Sequence, residues 1–339
     1  MTQTIEQTQL HAAEVATVQP VESRRHILDL DDFTREEIEA VLQNTDAMKE
    51  VLSRDIRKVP TLRGKSVITL FYEPSTRTRV SFEQAGKILS ADVINVSGSG
   101  SSVEKGESLY NTALTLQAMN ADIIIIRHPH SGAPHFLART LDSSVINAGD
   151  GAHAHPTQAL LDLYTMQSHF GRLEGLKVVI VGDILYSRVA RSNLWGLTTM
   201  GADVTLCAPP TLLPIDFVNR DPSAEEPPFA SLSIETDVEK AIDGANVVMA
   251  LRLQMERQKA GHLPSIREYS RMYGINPQRL KLASPDVLVM HPGPMNEGVE
   301  IDPAVAHGTR SAIEEQVTNG VAVRMALLNN IAIPSHWSG

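Results

Sequence analysis

Residues 62–89 read LRGKSVITLFYEPSTRTRVSFEQAGKIL, and this stretch decides the fold class. The apolar run from Val67 to Tyr72 predicts a buried strand, and the segment after it predicts a turn and the beginning of a helix. A buried strand that passes directly into a helix is typical of parallel sheets whose two faces are covered by helices.

The same alternation of strand and helix continues along the chain and then restarts. Further strands are predicted at 91–96, 121–127, 177–183, 202–209, 245–251 and within 286–294. The pattern stops and restarts around a predicted helix from Pro156 to Phe170. We therefore predict an α/β protein with two doubly wound parallel-sheet domains joined by a long helix. The C-terminal helix is expected to pack back on the first domain.

The predicted domain boundaries follow from this alternation. Residues 1–25 are expected to form a flexible N-terminal tail, and 26–155 with the C-terminal helix at 312–339 form the first domain. The linking helix spans 156–171, and the second domain spans 172–311. Ligands of such folds bind beyond the carboxyl ends of the strands, so the residues that follow strands are the most informative ones.

The composition limits the possible partners and compartments. The 339 residues carry a formal net charge of -10, which argues against nucleic acid or an anionic membrane as the main partner. Cys207 is the single cysteine, so the chain forms no internal disulfide, which suits a reducing compartment. The sequence shows no apolar run long enough to span a bilayer and no secretory signal in its first residues. We expect a cytoplasmic protein.

Ser75, Thr76, Arg77, Thr78 and Arg79 form the most informative segment, because they follow a strand and begin a helix. The start of a helix offers unpaired N–H groups and the positive end of the helix dipole, so hydroxyl and guanidinium groups there predict a phosphate site. The alternative is an ordinary N-cap followed by a solvated basic turn. Two arginines and three hydroxyl groups are more than a cap needs, which favours the phosphate site.

Neither of two candidate nucleotide motifs is complete. Gly64, Lys65 and Ser66 resemble the end of a Walker motif, but Val59 stands where the earlier glycine is required, and the triplet precedes the strand. The strand that ends at Gly182 lacks the G-x-G-x-x-G pattern of dinucleotide-binding folds. The sequence therefore disfavours a nucleotide-dependent enzyme such as a dehydrogenase.

Two further segments of the first half carry polar side chains after strands. Arg127 ends the strand at 121–127, where it can hold phosphate or polarise a carbonyl; the alternative is a surface arginine at a turn. His155 and Gln158 lie three residues apart at the start of the long helix, so both can face one point. The helix dipole favours a neutral imidazole there, which would donate a hydrogen bond. The alternative for His155 is a purely structural histidine.

The second half adds positive charge at two strand ends. Arg188 follows the strand at 177–183, and Arg252 and Gln254 follow the strand at 245–251. Two arginines that face one cleft suit a dicarboxylate ligand, whereas the alternative is ordinary surface charge. Lys105 and Glu107 lie in a loop rich in Ser and Gly, where a lysine by itself is usually only solvated.

Six segments together resemble the aspartate/ornithine carbamoyltransferase family. They are STRTR at 75–79, EKGES at 104–108, RHP at 127–129, HPTQ at 155–158, LRLQMERQ at 251–258 and HPGP at 291–294. They occur in the family's order with family-like spacing, and the resemblance extends from about His26 to the end of the chain. It implies that a carbamoyl group moves from carbamoyl phosphate to an amino-acid amine, with no metal, cofactor or covalent intermediate.

The resemblance is greater to the aspartate branch of the family. Ornithine enzymes typically carry an H-C-L-P segment where this chain has HPGP, and they have an S-M-G segment that is not found here. Arg252 would repel the cationic side chain of ornithine but would attract the second carboxylate of aspartate. The implied products are N-carbamoyl-L-aspartate and phosphate, an early step of pyrimidine biosynthesis. The alternatives are transfer to ornithine or a related amino acid, and a non-catalytic anion-binding relative.

The resemblance also implies roles for individual residues and substrates for each domain. The first domain would bind carbamoyl phosphate and the second would bind aspartate. The implied catalytic residues are Arg77, Thr78, Arg127 and His155. The residues implied to bind carbamoyl phosphate are Ser75, Thr76, Arg77, Thr78, Arg127, His155, Gln158, Lys105 and Pro294. Those implied to bind aspartate are Lys105, Arg188, Arg252, Gln254 and Gly293. Glu107 is implied to orient Arg77, and Ser102 to contact phosphate.

The assembly is implied in the same way. Lys105 would come from a neighbouring subunit, so the resemblance implies a homotrimer with shared active sites; a further regulatory or dihydroorotase-like chain is left open. Two positions depart from the family. Val189 stands where relatives often have Thr, and Gly293 stands where other members carry Leu or Ala. Neither change removes a charged group, so activity is expected to survive.

Overall fold

The computed structural model describes residues 24–98, 107–218, 231–255, 257 and 263–332. The strands of these residues form two separate parallel sheets. The first sheet contains β1 (Ser66–Phe71), β2 (Asp92–Ser97), β3 (Ile123–His128) and β4 (Ser144–Asp150). The second contains β5 (Lys177–Val181), β6 (Asp203–Cys207), β7 (Leu232–Glu235), β8 (Val247–Ala250) and β9 (Leu288–Met290).

Helices cover the faces of both sheets. Those of the first half are α1 (Arg35–Ser53), α2 (Thr76–Ile88), α3 (Leu109–Ala118), α4 (Ala133–Thr140) and α5 (Pro156–Phe170). The second half contains α6 (Arg188–Thr199), α7 (Ile215–Val218), α8 (Val238–Ile242), α9 (Ile266–Tyr273), α10 (Pro277–Leu280), α11 (Pro303–Ala306) and α12 (Ile313–Ala332).

The strand order of each sheet places a crevice at the carboxyl ends of its central strands. The order is β2-β1-β3-β4 in the first sheet and β7-β6-β5-β8-β9 in the second. The direction of winding reverses between β1 and β3 and again between β5 and β8, and such switch points are where α/β sheets bind ligands. Residues 73–79 follow β1 and Arg127 lies near the end of β3, whereas Arg188 and residues 252–254 follow β5 and β8. The predicted pair of doubly wound α/β domains is confirmed.

Local sequence explains why these elements form. Thr34 caps α1 with a complete capping box: its hydroxyl accepts the Glu37 N–H at 3.2 Å, and the Glu37 carboxylate accepts the Thr34 N–H at 2.8 Å. The isoleucines of β3 are all buried, because helices cover both faces of a parallel sheet. Val67 of β1 pairs in register with Ile123 of β3, which sets the two strand ends side by side.

Two local features differ from the sequence prediction. No helix was predicted directly after the strand at 121–127, but α4 begins at Ala133. Gly132, with φ of 84°, forms the N-cap, and Pro134 lies in the first turn, where its missing N–H costs no helical hydrogen bond. Strand β7 was not predicted, because it has only four residues at the edge of its sheet and mixed burial.

Two long helices hold the halves together. Helix α5 follows β4 of the first sheet and precedes β5 of the second, and its residues from Pro156 to Met166 are all buried. Helix α12 packs against α1, α2 and α5, which confirms that the C-terminal helix returns to the first domain. The exact domain boundaries stay a prediction. Among the described helices, none is both long and apolar enough to cross a membrane.

Candidate active site

The turn after β1 presents hydroxyl and guanidinium groups at the start of α2. Ser75 is the N-cap residue, but its side chain caps no backbone N–H, so its hydroxyl remains open to a ligand. Thr78 is buried in the first turn, whereas Thr76 and Arg77 are exposed. That turn contains no acidic residue, so the helix dipole and Arg77 leave positive potential there. These features fit the predicted phosphate site better than an ordinary cap.

One carboxylate, Glu73, gathers three arginines from both sheets. Its Oε2 atom lies 2.8 Å from Nη2 of Arg188 and 3.4 Å from Nε of Arg127. Its Oε1 atom lies 3.3 Å from Nη2 of Arg257. All four side chains are at most one-fifth exposed. One negative charge among three positive ones leaves a cationic cleft, which attracts anionic ligands.

Burial, and then the neighbouring Arg188, lowers the pKa of Arg127 to about 9. The guanidinium therefore stays charged at neutral pH. Its Nη1 atom donates to the backbone oxygen of Ala148 at 3.1 Å, and its buried Nε atom faces the Glu73 carboxylate at 3.4 Å without a hydrogen bond. Its Nη2 group has no acceptor among the described residues. Arg127 therefore keeps part of its donor capacity for a ligand.

Gly149 allows the two central arginines to approach the backbone of β4. It has φ of 113°, and a Cβ atom at this position would lie 2.8 Å from Cζ of Arg188 and 3.2 Å from Nη1 of Arg127. A positive φ strains every residue except glycine, and a Cβ atom would collide with the arginines. Both the backbone conformation and the available space therefore require glycine here.

His155 lies at the N-cap of α5 and is almost completely buried. Burial holds the pKa of His155 well below its usual range, and Arg127 and Arg188 lower it further. The imidazole is therefore neutral, as the sequence predicts, and its Nδ1 atom makes no hydrogen bond with the described part of the chain. The backbone N–H of His155 donates to Oγ of Ser192 at 2.9 Å, which ties the start of α5 to α6.

His135, Asp150 and His153 lie next to this turn, with potential metal-ligand atoms within 4.8 Å of one another. Asp150 already accepts the backbone N–H groups of Gly132 at 2.7 Å and of Ala154 at 3.1 Å. Its carboxylate also lies 3.2 Å from Nδ1 of His153. The contacts of Asp150 thus fix the turn that precedes His155, which is a structural role.

Gln158 lies one turn after His155 and is largely buried. Its Nε2 atom donates to Oδ1 of Asp162 at 2.9 Å. Its Oε1 atom accepts no hydrogen bond from the described residues. The amide therefore presents an acceptor, which fits the predicted contact with a carbamoyl NH2 group.

The loop after β8 carries the predicted aspartate ligands. Nη2 of Arg252 donates to Oε1 of Gln254 at 3.1 Å, and the backbone N–H of Gln254 donates to the buried Asp183 at 3.0 Å. Arg257 of the same loop donates to the backbone oxygen of Tyr186 at 3.2 Å and also reaches Glu73. Glu73 therefore connects Arg188 with this loop, because its carboxylate contacts both Arg188 and Arg257.

Gly293 lies directly against Arg77. Its φ is 66°, and a Cβ atom at this position would overlap the Arg77 guanidinium. The backbone N–H of Gly293 donates to Nδ1 of His291 at 2.8 Å, and the next peptide bond, to Pro294, is cis. The glycine thus brings the 291–294 turn of the second half against the predicted phosphate ligand of the first.

Several predicted residues are not placed, and two important ones were not predicted. Lys105 and Ser102 lie outside the described residues, and the proposed action of Glu107 on Arg77 stays a prediction. Glu73 and Arg257 were missed, although Glu73 immediately precedes the phosphate segment and Arg257 lies within the quoted 251–258 segment. A charged residue directly after a strand at a switch point was the signal for Glu73.

Comparisons with known proteins agree with this geometry. The family model for the aspartate/ornithine carbamoyltransferase carbamoyl-P binding domain matches residues 25–168, and the model for the Asp/Orn binding domain matches residues 174–331. The aspartate carbamoyltransferase catalytic subunit of Roseiflexus sp. (strain RS-1) is 60% identical over 310 residues, which cover 91% of this chain and 95% of the relative.

Two solved structures, one of an aspartate enzyme and one of an ornithine enzyme, are about equally similar in fold to this protein. Aspartate transcarbamoylase from Trypanosoma cruzi, in complex with carbamoyl phosphate and aspartate, has a TM-score of 0.81 and 29% identity, covering 91% of this chain and 96% of that one. Ornithine carbamoyltransferase from Pyrococcus furiosus has a TM-score of 0.79 and 29% identity, covering 90% and 96%. Both branches share the architecture of this protein. The chain belongs to the aspartate/ornithine carbamoyltransferase family.

Proposed function

We propose that this protein transfers the carbamoyl group of carbamoyl phosphate to the amine of L-aspartate, giving N-carbamoyl-L-aspartate and phosphate. The observation that carries the proposal is the meeting of arginines from both sheets at Glu73, beside the neutral and buried His155. A cleft with excess positive charge suits two anionic substrates, and a neutral imidazole suits donation to a carbonyl oxygen.

The phosphate of carbamoyl phosphate is assigned to the start of α2. The uncapped hydroxyl of Ser75, the helix N–H groups and Arg77 provide donors there, with Thr76 and Thr78 in the same turn. Arg127 is assigned to the phosphate and the carbonyl oxygen together. Gln158 and the turn at Pro294 are assigned to the carbamoyl NH2, because Oε1 of Gln158 is an acceptor without a partner among the described residues.

The amine acceptor is assigned as aspartate rather than ornithine. Arg188, Arg252 and Gln254 come from two neighbouring strand ends of the second sheet, and Arg257 adds a further positive charge. A cationic ornithine side chain would be repelled there, whereas a second carboxylate would pair with a guanidinium. The 60% identity with an aspartate enzyme supports the same choice.

The proposed chemistry uses the amine of aspartate as the nucleophile. Its lone pair forms the new C–N bond, and the negative charge that develops on the carbonyl oxygen is stabilised by Arg127, His155 and Thr78. The bond between the carbonyl carbon and the phosphate oxygen then breaks, and phosphate leaves with the electron pair and accepts the amine proton. One such oxyanion donor is worth roughly 3–4 kcal/mol in other enzymes. Holding the two substrates together contributes up to about 7–11 kcal/mol more.

The test is product formation from carbamoyl phosphate with aspartate and, separately, with ornithine. A ureido product from aspartate alone, with release of one phosphate per product, is expected. Product from ornithine alone would overturn the assignment of Arg188, Arg252 and Gln254. Absence of product from both amines would overturn the proposal. The His155→Ala variant, purified in the same way, is the control and should show strongly reduced turnover.

The assembly is proposed to be a homotrimer with shared sites, in which Lys105 of one subunit completes the site of its neighbour. The EKGES segment and the similarity to a catalytic subunit support this proposal. Mixing inactive Lys105→Ala and His155→Ala subunits should restore part of the activity, because some sites then contain both intact residues. No recovery after verified subunit exchange would contradict sharing. A cytoplasmic location and an additional partner chain stay predictions.

A further inference from the structure

Asp162 is a fully buried acid in the middle of α5, one turn after Gln158. Three side-chain amides from three helices donate to it. Oδ1 accepts Nε2 of Gln158 at 2.9 Å and Nε2 of Gln316 at 2.7 Å, and Oδ2 accepts Nδ2 of Asn193 at 2.8 Å. The carboxyl group thus joins α5, α6 and α12 at one point behind the candidate active site.

This contact decides which end of the Gln158 amide faces the cleft. A carboxamide has one donor end and one acceptor end, and both oxygens of Asp162 accept hydrogen bonds from amide N–H groups. Because Asp162 takes Nε2, the acceptor Oε1 is turned away from it. The opposite orientation would set the Gln158 NH2 against the carbamoyl NH2, which places two donors face to face.

A second set of hydrogen bonds connects Asp162 to the 291–294 turn. Oε1 of Gln316 accepts the backbone N–H of His291 at 2.9 Å, and Nδ1 of His291 accepts the N–H of Gly293 at 2.8 Å. Asp162 therefore also fixes, through Gln316, the turn that contains Pro294. Both groups assigned to the carbamoyl NH2 are connected to one buried carboxyl group.

We propose that Asp162 is a positioning residue that aims the Gln158 carbonyl, and through Gln316 the Pro294 turn, at the NH2 group of carbamoyl phosphate. The inference rests on the proposed function and adds to it the origin of selectivity for a carbamoyl over an acyl group. Asp162 contacts no substrate in this scheme and acts only through other residues.

The test compares binding of carbamoyl phosphate with binding of acetyl phosphate, which replaces the NH2 by a methyl group and keeps the carbonyl and phosphate. Calorimetric titration without aspartate measures both affinities. The wild-type protein should prefer carbamoyl phosphate. In Asp162→Ala that affinity should fall by about 3- to 10-fold, the worth of one lost hydrogen bond, while acetyl phosphate binding stays unchanged.

Matched variants separate positioning from loss of stability. Asn319→Ala removes a buried amide of α12 that donates to Thr165 at 3.0 Å and, among the described residues, makes no hydrogen bond to Gln158. It should be destabilised while retaining the wild-type preference. Asp162→Asn keeps the side-chain volume and one acceptor oxygen, so its loss of preference should be smaller than that of Asp162→Ala.

Three outcomes would overturn the inference. The first is equal weakening of both ligands in the Asp162 variants, which indicates a structural role only. The second is unchanged affinity for both ligands in these variants, and the third is no preference for carbamoyl phosphate in the wild-type protein. Turnover of the wild-type protein with aspartate tests the proposed function separately, so this preference can fail while carbamoyl transfer is intact.

Discussion

Glu73 and Asp162 are both acidic side chains of the candidate active site, but their partners differ. Glu73 lies in the cleft and contacts the guanidinium groups of Arg127, Arg188 and Arg257. Asp162 is fully buried and accepts hydrogen bonds from three neutral carboxamides. The first set of partners comes from loops and strand ends of both sheets, and the second comes from three packed helices.

The difference separates two tasks of the site. The arginines around Glu73 carry excess positive charge that anionic ligands can share, so this region is suited to binding and releasing substrates. The amides around Asp162 have no such excess, and their geometry is fixed by helix packing, so this region is suited to orientation. The comparison predicts that substitutions near Glu73 alter the charge of the cleft, whereas substitutions near Asp162 alter the orientation of the groups that contact the substrate.

The largest effect is expected from Arg127→Ala, which removes a cation from the Glu73 cluster and a donor to the carbonyl oxygen. Turnover should fall by about 100- to 1,000-fold, as for loss of one oxyanion donor elsewhere. Steady-state kinetics at saturating substrates measure the effect. The exposed Arg139 of α4 offers the same substitution outside the cleft, and Arg139→Ala should leave turnover unchanged. An Arg127→Ala enzyme within threefold of wild type, on the order of 1 kcal/mol or less, would contradict the assignment.

Glu73→Gln is expected to have the next largest effect, because it leaves three arginines facing each other without their carboxylate. The free energy of unfolding, measured in urea, should fall by about 1.5–3 kcal/mol, the range for hydrogen bonds to charged groups. Added inorganic phosphate should restore part of this loss, since it supplies the missing negative charge.

An exposed ion pair provides the control for Glu73. Glu50 pairs with Arg54 at 2.7 Å on the surface of α1, and Glu50→Gln should change the stability by less than about 0.5 kcal/mol. If both substitutions had the same small effect, Glu73 would behave as a surface charge. The contrast with Asp162 would then lose its basis.

The sequence predicted the two kinds of region unequally well. The phosphate segment at 75–79 is contiguous and follows a strand, so its position at the end of β1 could be inferred from local pattern alone. Arg188 and Arg252 could be placed after strands in the same way. Glu73 was missed because its partners are distant in sequence, and only the folded sheets bring them to one point.

The Asp162 network was missed for a different reason. Asp162 lies in the apolar helix segment PTQALLDLYTM, where a single acid is equally compatible with an exposed position. Its partners Asn193 and Gln316 are ordinary helical amides without any motif. Their convergence depends on how α5, α6 and α12 pack, which hydrophobic periodicity does not specify at the level of single side chains.

Gly293→Ala tests the place where the two regions meet, since its turn is tied to Asp162 through Gln316 and lies against Arg77. The added methyl group would overlap the Arg77 guanidinium, so the KM for carbamoyl phosphate should rise by about 3- to 10-fold, equivalent to about 1 kcal/mol. Gly298→Ala is a close control, because Gly298 has φ of 78° but nothing within 4 Å of the added atom. Equal KM values for both variants would show that Arg77 relocates without cost.

The last expected effect is a change in the pH dependence of stability. Burial raises the pKa of Asp162 to about 7, although the donors Asn193, Gln316 and Gln158 and the cation Arg324 act in the opposite direction. The folded protein therefore holds a proton that the unfolded chain releases between pH 3.8 and about 7. The contribution of Asp162 to the free energy of unfolding thus falls as pH rises through this window.

Asp162→Asn removes this titration, so its stability relative to wild type should increase with pH across the same window, by at most about 1.4 kcal/mol per pH unit. Urea unfolding of both proteins at a series of pH values measures the difference. His155 contributes with the opposite sign, because its depressed pKa lowers stability below pH 6.5, but this contribution cancels between the two proteins. Parallel profiles would mean that Asp162 stays ionised when buried. Its three amides would then stabilise a full negative charge, as the arginines do for Glu73. The contrast between a charged cluster around Glu73 and a neutral network around Asp162 would then be wrong.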